Sequence, residues 1–211
     1  MTAAETVLTQ STAPEITPEI APEDRMRADL YDFLGALLQA PPPAALLEQA
    51  GTLVGDETEL GRAVDALSRL SRATSAKAAE REFNALFIGL GRGELMPFGS
   101  FYLTGFLNEK PLALLRQDMS ALGIERSPDV FEPEDNIGAL MEMMAGLIAG
   151  RFGEPASLET QKTFFNKHIA PWAPHFFADL EGADNAALYK PVGAMGRAFM
   201  AVEVEAFRMG G

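Results

Sequence analysis

The sequence predicts an all-α protein that folds as a single globular, bundle-like domain of about eight to ten helices. Apolar residues recur at the spacing of a helix turn in one segment after another. Nowhere do β-branched residues alternate over a stretch long enough to predict a strand. With 211 residues and 47% hydrophobic content, the chain can bury one sizeable core. Two lobes joined near residues 124-136 remain an alternative arrangement of this domain.

The first 24 residues differ in composition from the rest of the chain. They are rich in Thr, Ala, Pro and Glu and contain little that could be buried, and their prolines recur at regular intervals, at Pro14, Pro18 and Pro22. Such a composition is typical of disordered segments. We therefore expect a disordered acidic leader over residues 1-24 and an all-helical domain over residues 25-211.

Helical periodicity begins at Met26 and continues, with interruptions, to Phe87. A first helix ends at the prolines of residues 41–43, and a third opens at Ser75 as its N-cap and ends at the glycines of residues 89–93. These glycines do not predict a phosphate loop, because no strand precedes them and the Gly-Lys-Ser/Thr ending is missing. The three apolar faces comprise Met26, Leu30, Phe33, Leu34, Leu37 and Leu38, then Leu60, Val64, Leu67 and Leu70, then Ala79, Phe83, Leu86 and Phe87.

The second half of the chain continues the helical pattern. An amphipathic helix that Gly123 ends is predicted by Leu112, Leu115, Met119 and Leu122. A methionine-rich helix then extends to about Gly150. Later helices are expected over residues 158–169, 171–180 and 185–207.

Composition excludes several classes of protein. The chain has no cysteine, so disulfides, thiolate-held iron–sulfur clusters, zinc fingers and thiol nucleophiles are excluded. Its two histidines, His168 and His175, lack the Glu-x-x-His and His-Glu-x-x-His patterns of helical metal sites. We predict no metal site and no cofactor.

The formal charge of −13 repels phosphate backbones and anionic lipid surfaces but attracts cationic peptides. It also favours plain solubility. No apolar stretch reaches the roughly 18 residues of a membrane span, and the N-terminus lacks a signal sequence. We therefore expect a cytoplasmic protein with no nucleic-acid partner and no membrane insertion.

An acidic segment, residues 132–138 (Glu-Pro-Glu-Asp-Asn-Ile-Gly), leads directly into the apolar, methionine-rich run of residues 140–148. Proline and carboxylates at a helix start are explained by helix capping alone. Carboxylates beside adaptable methionines would also suit a peptide that is cationic at one end and apolar at the next. At most one or two of Met141, Met143 and Met144 can line a groove, because Met143 is turned away from the other two.

Four separated segments stand in a characteristic order. They are residues 82–87 (Glu-Phe-Asn-Ala-Leu-Phe), 97–102 (Pro-Phe-Gly-Ser-Phe-Tyr), 132–136 and 164–172 (Phe-Phe-Asn-Lys-His-Ile-Ala-Pro-Trp). This series resembles the cytoplasmic redox-enzyme maturation chaperones typified by the trimethylamine-oxide reductase and dimethyl-sulfoxide reductase chaperones. The resemblance covers about residues 26 to 207.

The resemblance implies a helical chaperone without catalysis. Its partner would be the precursor of a molybdenum-containing oxidoreductase, bound through the twin-arginine signal peptide, the apo-enzyme or both, and held until molybdopterin is inserted. The run from Phe98 to Leu115 looks most like members that accompany formate dehydrogenases. A monomer and a segment-exchanged dimer hinged at residues 89–97 are both open.

The family's central motif normally ends in Asp-His, and here the matching pair is Asp135 and Asn136. Asparagine can form the hydrogen bonds of a neutral imidazole but cannot become cationic. The predicted peptide-binding residues are Glu132, Glu134, Asp135, Asn136, Phe98, Ser100, Tyr102 and Met141. His168 and Trp172 are expected to be structural, and Phe83, Leu86 and Phe87 to lie in the core.

Two other functions are consistent with parts of the sequence. A helical enzyme could use Glu132 and Asp135 as acid and base, which would require both carboxylates to line one cavity. A scaffold or small-ligand sensor would use every motif for packing alone. The first alternative lacks an accompanying nucleophile, metal or cofactor loop.

Overall fold

The computed structural model describes residues 20–89, 92–126 and 132–210. This part of the chain contains ten α-helices and no strand. They are α1 (Pro22–Gln39), α2 (Ala44–Ala50), α3 (Glu59–Ala73), α4 (Ala76–Phe83), α5 (Gly99–Thr104), α6 (Lys110–Ala121), α7 (Ile137–Ala149), α8 (Leu158–Phe164), α9 (Ala173–Gly182) and α10 (Tyr189–Met209). The π-helical turns Asn84–Ile88 and Phe165–Ile169 extend α4 and α8. The all-α prediction is confirmed.

Two short helices, α2 and α5, are not evident from apolar periodicity in the sequence. Each has only six or seven residues, too few for an apolar period to repeat. At the N-terminus, α1 begins at Pro22 with Glu23 and Asp24 in its first turn, three residues before the predicted start of the domain. Residues 1–19 of the predicted leader lie outside the described residues, as do residues 90 and 91 of the glycine loop.

The buried apolar residues form one continuous cluster. Its members come from both sides of residues 124-136, and they include Tyr31, Leu67, Leu115, Met144, Phe176 and Met200. A shared core is what a single domain requires. The structure therefore has one helical domain, and the described residues do not divide into two cores.

The most extensive helix contact among the described residues is between α1 and α7, and glycines permit it. A Cβ atom at Gly35 would lie 2.8 Å from Cγ of Glu142. One at Gly138 would lie 2.9 Å from the backbone nitrogen of Gln39. Real Cβ atoms do not tolerate such distances, so these two positions let the helices approach and bring Glu142 beside α1.

A buried ion pair joins α1 to α10. Nε and Nη2 of Arg27 donate to the two carboxylate oxygens of Glu203, each at 2.8 Å, and the hydroxyl of Tyr31 donates to the same carboxylate at 2.9 Å. Glu203 is fully buried. Burial and the neighbouring carboxylate raise the pKa of Tyr31, which keeps its hydroxyl a donor. The first and last described helices are thereby held together.

A glutamate from the first sequence motif holds the start of α10. Oε1 of Glu82 accepts hydrogen bonds from the backbone nitrogens of Ala187 and Tyr189 at 2.7 and 2.8 Å. Its Oε2 accepts from the nitrogen of Leu188 at 3.1 Å. A carboxylate on these unpaired N–H groups complements the helix dipole, so Glu82 has a structural task.

Candidate functional site

The second and third sequence motifs lie side by side in the structure. Phe98 and Asn136 form an isolated antiparallel bridge. The nitrogen of Ile137 donates to the carbonyl of Pro97 at 2.8 Å, and that of Gly99 donates to the carbonyl of Asp135 at 2.9 Å. These bonds fasten the start of α5 to the start of α7.

Asp135 is a buried anchor within this junction. Its Oδ2 accepts a hydrogen bond from the backbone nitrogen of Ser100 at 2.6 Å, and the residue is only 3% exposed. Ser100 lies in the first turn of α5, where backbone N–H groups have no partner within the helix. Asp135 thus caps α5 from a distant point in the sequence.

Replacing Asp135 with alanine should lower the free energy of unfolding by about 1–3 kcal/mol, because a buried N–H loses a charged acceptor. The matched control is Ser100→Ala, which keeps that N–H and removes only the hydroxyl. Since no described residue bonds to this hydroxyl, the control should stay within about 0.5 kcal/mol of the wild type. Urea unfolding measures both, and a wild-type stability of Asp135→Ala would remove the anchoring role.

Asn136 is the N-cap residue of α7. Its Oδ1 accepts from the nitrogen of Gly138 at 2.8 Å, while its Nδ2 donates to Oε2 of Glu132 at 3.1 Å. One amide therefore starts the helix and orients the neighbouring carboxylate. The residue that caps the helix is thus Asn136, and not the proline or the carboxylates expected from the sequence, because α7 begins at Ile137 and has no acidic residue in its first turn. The amide performs both tasks without a positive charge.

Glu134 is neutralised by arginines. It accepts from Nε and Nη2 of Arg116 at 2.9 and 2.7 Å, and Nη1 of Arg126 lies 3.6 Å from its other oxygen. Burial by itself raises the pKa of Glu134, but the bonds from Arg116 outweigh it and hold the pKa below its usual value. This carboxylate remains ionised and compensated.

A cleft of about 330 Å³ lies between α1, α7 and the segment around Glu132. We call it the acidic cleft. Its apolar floor is contributed by Met119, Ile124, Pro133, Ala139, Met143 and Phe152. Its carboxylates are those of Asp32, Glu125, Glu132, Glu134 and Glu142, and its cations are Arg126 and Arg151. Acidic and apolar surface therefore adjoin within one cleft.

Two of these carboxylates have raised pKa values. Glu132 and Glu142 are exposed residues, but the cleft shields part of each carboxylate from water. This desolvation raises the pKa of Glu132. It also raises that of Glu142, with a smaller opposing effect from the hydrogen bond of Gln39. A cation entering the cleft would relieve this cost.

The structure separates the predicted binding residues into two groups. Glu132, Glu134 and Asn136 line the acidic cleft. Phe98, Ser100, Asp135, Tyr102 and Met141 do not line it. The prediction for the second group therefore lacks support from the cleft geometry.

Met141 is fully buried, so a peptide could reach it only if the helices parted. Met143 lines the cleft in its place. Ser100 is also fully buried. The hydroxyl of Tyr102 donates to Asp179 at 2.9 Å, and its ring packs 5.3 Å from that of Trp172, measured between centroids.

Glu142 was missed in the sequence, although a signal was present. Ala139, Glu142 and Met143 are three and four residues apart, so they share one helix face. If Ala139 or Met143 lines the cleft, Glu142 must face the cleft as well. The sequence alone did not say which face of α7 is open.

A second, smaller cavity of about 120 Å³ lies on the other side of the motif segment. Asp135 lines this cavity together with His168 and Trp172. Glu132 and Asp135 thus face different cavities, which removes the geometric requirement for an enzyme that uses them as an acid–base pair. Asp135 and Glu132 cannot act on one substrate atom in this arrangement.

His168 and Trp172 are held by internal bonds. Nε2 of His168 lies 2.6 Å from Oδ2 of Asp118, and Nε1 of Trp172 donates to the carbonyl of His168 at 2.8 Å. Burial lowers the pKa of His168, although Asp118 opposes the shift. The predicted structural role fits both residues.

No group of three or more His, Cys, Asp or Glu side chains in residues 20–89, 92–126 and 132–210 is arranged to hold a metal ion. Over the same residues, no helix has the length and apolar character needed to cross a membrane.

This chain is similar to known proteins over more than half of its length. A family model described as "Nitrate reductase delta subunit" matches residues 55–178, more than half of the chain. The protein named "Chaperone protein TorD" of Aliivibrio fischeri is 26% identical over 208 residues, covering 89% of this chain and 97% of the relative. A protein of the same name from Vibrio cholerae serotype O1 is 29% identical over 159 residues, covering 70% of this chain and 72% of the relative.

These relatives are named as chaperones and not as enzymes, in agreement with the prediction of a non-enzyme. They also support the resemblance that the four sequence motifs indicated. The chain belongs to the nitrate reductase delta subunit family, and with it to the redox-enzyme maturation chaperones.

Proposed function

We propose that this chaperone binds the precursor of a molybdenum-containing oxidoreductase in the cytoplasm and holds it until molybdopterin is inserted, which delays export. Recognition uses the twin-arginine signal peptide, the apo-enzyme or both. Family membership supports a chaperone role. The acidic cleft supplies a surface that suits such a ligand.

The observation that carries the proposal is that two carboxylates without an ion pair among the described residues, those of Glu132 and Glu142, adjoin the apolar floor of the acidic cleft. A twin-arginine signal peptide has two guanidinium groups followed by an apolar stretch. Guanidinium groups form strong charge-assisted bonds with carboxylates. The apolar stretch would cover Met143, Ala139 and Phe152. The net charge of −13 speeds the encounter with a cationic segment.

The proposal predicts that a synthetic twin-arginine signal peptide binds the purified chaperone, measured by calorimetry. Replacing both arginines of the peptide with glutamine should weaken binding by about tenfold or more, because each charge-assisted bond contributes roughly 1.5–3 kcal/mol. Replacing its apolar stretch with serines should weaken binding independently. Equal affinity for all three peptides would contradict peptide recognition and favour a plain scaffold.

The proposed cargo is a formate dehydrogenase, from the resemblance of residues 98–115. Purification of the tagged chaperone from its native cells, followed by mass spectrometry, identifies the bound precursor. Capture of a different molybdoenzyme would change the proposed cargo and leave the proposed function in place. Failure to capture any molybdoenzyme would contradict the function. The complex is proposed to form with a monomeric chaperone or with a segment-exchanged dimer.

A further inference from the structure

The carboxylates of the acidic cleft are of two kinds. Asp32 and Glu134 form ion pairs with arginines, the former with Arg151. Glu132 and Glu142 instead accept hydrogen bonds from side-chain amides. Among the described residues no cation forms an ion pair with either carboxylate, although Arg126 donates to the backbone carbonyl of Glu132 at 3.4 Å and Arg151 acts on Glu142 from a longer distance. An amide orients a carboxylate but leaves its charge in place.

The two amide-held carboxylates come from separate elements. Nδ2 of Asn136 donates to Glu132 at 3.1 Å, within the motif segment. Nε2 of Gln39, in the last turn of α1, donates to Glu142 of α7 at 2.8 Å. The cleft between them therefore holds two oriented negative charges on different walls.

Packing fixes Glu142 in this position. Its Cγ lies so close to Gly35 that a Cβ atom there would be 2.8 Å away. The side chain therefore crosses α1 where that helix has no side chain, and its carboxylate reaches Gln39 one turn further along. The contact with Gly35 and the hydrogen bond from Gln39 restrict the side-chain conformations of Glu142 before any ligand binds. Less entropy then opposes binding.

We propose that Glu132 and Glu142 form a two-point clamp for two neighbouring cationic side chains, with Glu142 as the specificity-determining residue outside the sequence motif. The natural ligand of the clamp, the arginine pair of a precursor, rests on the proposed function. Gln39 and Asn136 are positioning residues, since they act through the carboxylates. Guanidinium groups are preferred to ammonium groups because their planar donors match a carboxylate in two bonds.

The clamp makes binding depend on pH in a defined direction. Both pKa values are raised by desolvation, so the carboxylates retain protons at higher pH than ordinary glutamates. A cationic ligand favours their ionised forms, so affinity should rise with pH as the two carboxylates ionise and then level off. The other charged groups facing the cleft from its walls are Asp32, Glu125, Glu134, Arg126 and Arg151. Asp32 and Glu134 are paired with arginines, and the hydrogen bonds to Asp32 hold the pKa of Arg151 above its usual value.

The test uses a blocked diarginine dipeptide as its probe and a blocked Arg-Gln dipeptide as the comparison, with binding followed by calorimetry. We expect Glu132→Gln and Glu142→Gln each to weaken diarginine binding by about tenfold, and each to reduce the preference for diarginine over Arg-Gln. The matched control is Glu159→Gln, an exposed residue of α8 outside the cleft, which makes the same charge change. Proton release on binding, measured over the acidic range in which the affinity changes, should decrease in the two cleft variants.

Thermal unfolding separates binding from structure. Because the raised pKa values show that the folded state disfavours the charged carboxylates, Glu132→Gln and Glu142→Gln should keep or raise the melting temperature at neutral pH. A purely structural role would lower melting temperature and affinity together. The clamp is overturned if the wild type does not bind diarginine, or if both variants bind it as Glu159→Gln does.

The clamp and the proposed function fail in distinguishable ways. If the wild type and both cleft variants bind the full precursor equally well, the clamp is wrong and the chaperone function stands. If diarginine binds through both glutamates but no precursor binds, the clamp stands and the proposed function is wrong.

Discussion

Glu203→Ala should destabilise the folded protein by about 3 kcal/mol, because the partly buried guanidinium of Arg27 loses its fully buried partner and keeps only Asp24 and Gln161. Two hydrogen bonds at 2.8 Å and a third from Tyr31 disappear together. The Tyr31 hydroxyl, which is fully buried, also loses its acceptor. Urea unfolding followed by circular dichroism measures the change as a shift of the midpoint.

The same helix offers a matched control for this substitution. Glu205 pairs with Arg208 on the exposed side of α10 at 2.8 Å. Exposed pairs of this kind contribute less than about 1 kcal/mol. Glu205→Ala should therefore change stability little. If Glu203→Ala costs no more than Glu205→Ala, the buried pair does not hold α1 to α10.

Glu82→Ala should destabilise the protein by about 2–3 kcal/mol, because three backbone N–H groups at the start of α10 lose a charged acceptor. The loss includes a favourable interaction between the carboxylate and the helix dipole. Glu82→Gln keeps one acceptor oxygen and should cost less. The measurement is again the free energy of unfolding.

Glu80→Ala is the control for Glu82→Ala, since it makes the same change at an exposed position of the same short helix. We expect it to stay within about 0.5 kcal/mol of the wild type. Equal effects of the two substitutions would mean that helix propensity, and not the contact with α10, explains the loss.

The longer helices were predictable because each repeats an apolar face over several turns. For α1, α6 and α7, periodicity and a proline, glycine or capping residue were enough to define the element, and for α3 periodicity alone indicated a helix. The helices α2 and α5 are too short to show a period. Their positions are decided by tertiary contacts, such as the bond from Ser100 to Asp135.

The candidate site was predictable only in part, for a similar reason. Sequence order placed Glu132, Glu134 and Asn136 in one segment, and the structure places all three at the acidic cleft. It could not reveal that Met141 faces the core while Glu142 faces the cleft. That distinction depends on how α1 lies across α7, which Gly35 and Gly138 set through contacts about 100 residues apart in sequence.

The pairing of Arg27 with Glu203 has a consequence for folding during synthesis on the ribosome. The two residues are separated by 176 positions, so synthesis must proceed through nearly all of α10 before the pair can form. Until then α1 can pack on α7. Arg27 and the surfaces of α3 and α9 that later contact α10 remain open to water. Contacts so distant in sequence close late and slowly. The core of the nascent protein is therefore completed only after α10 has been synthesised.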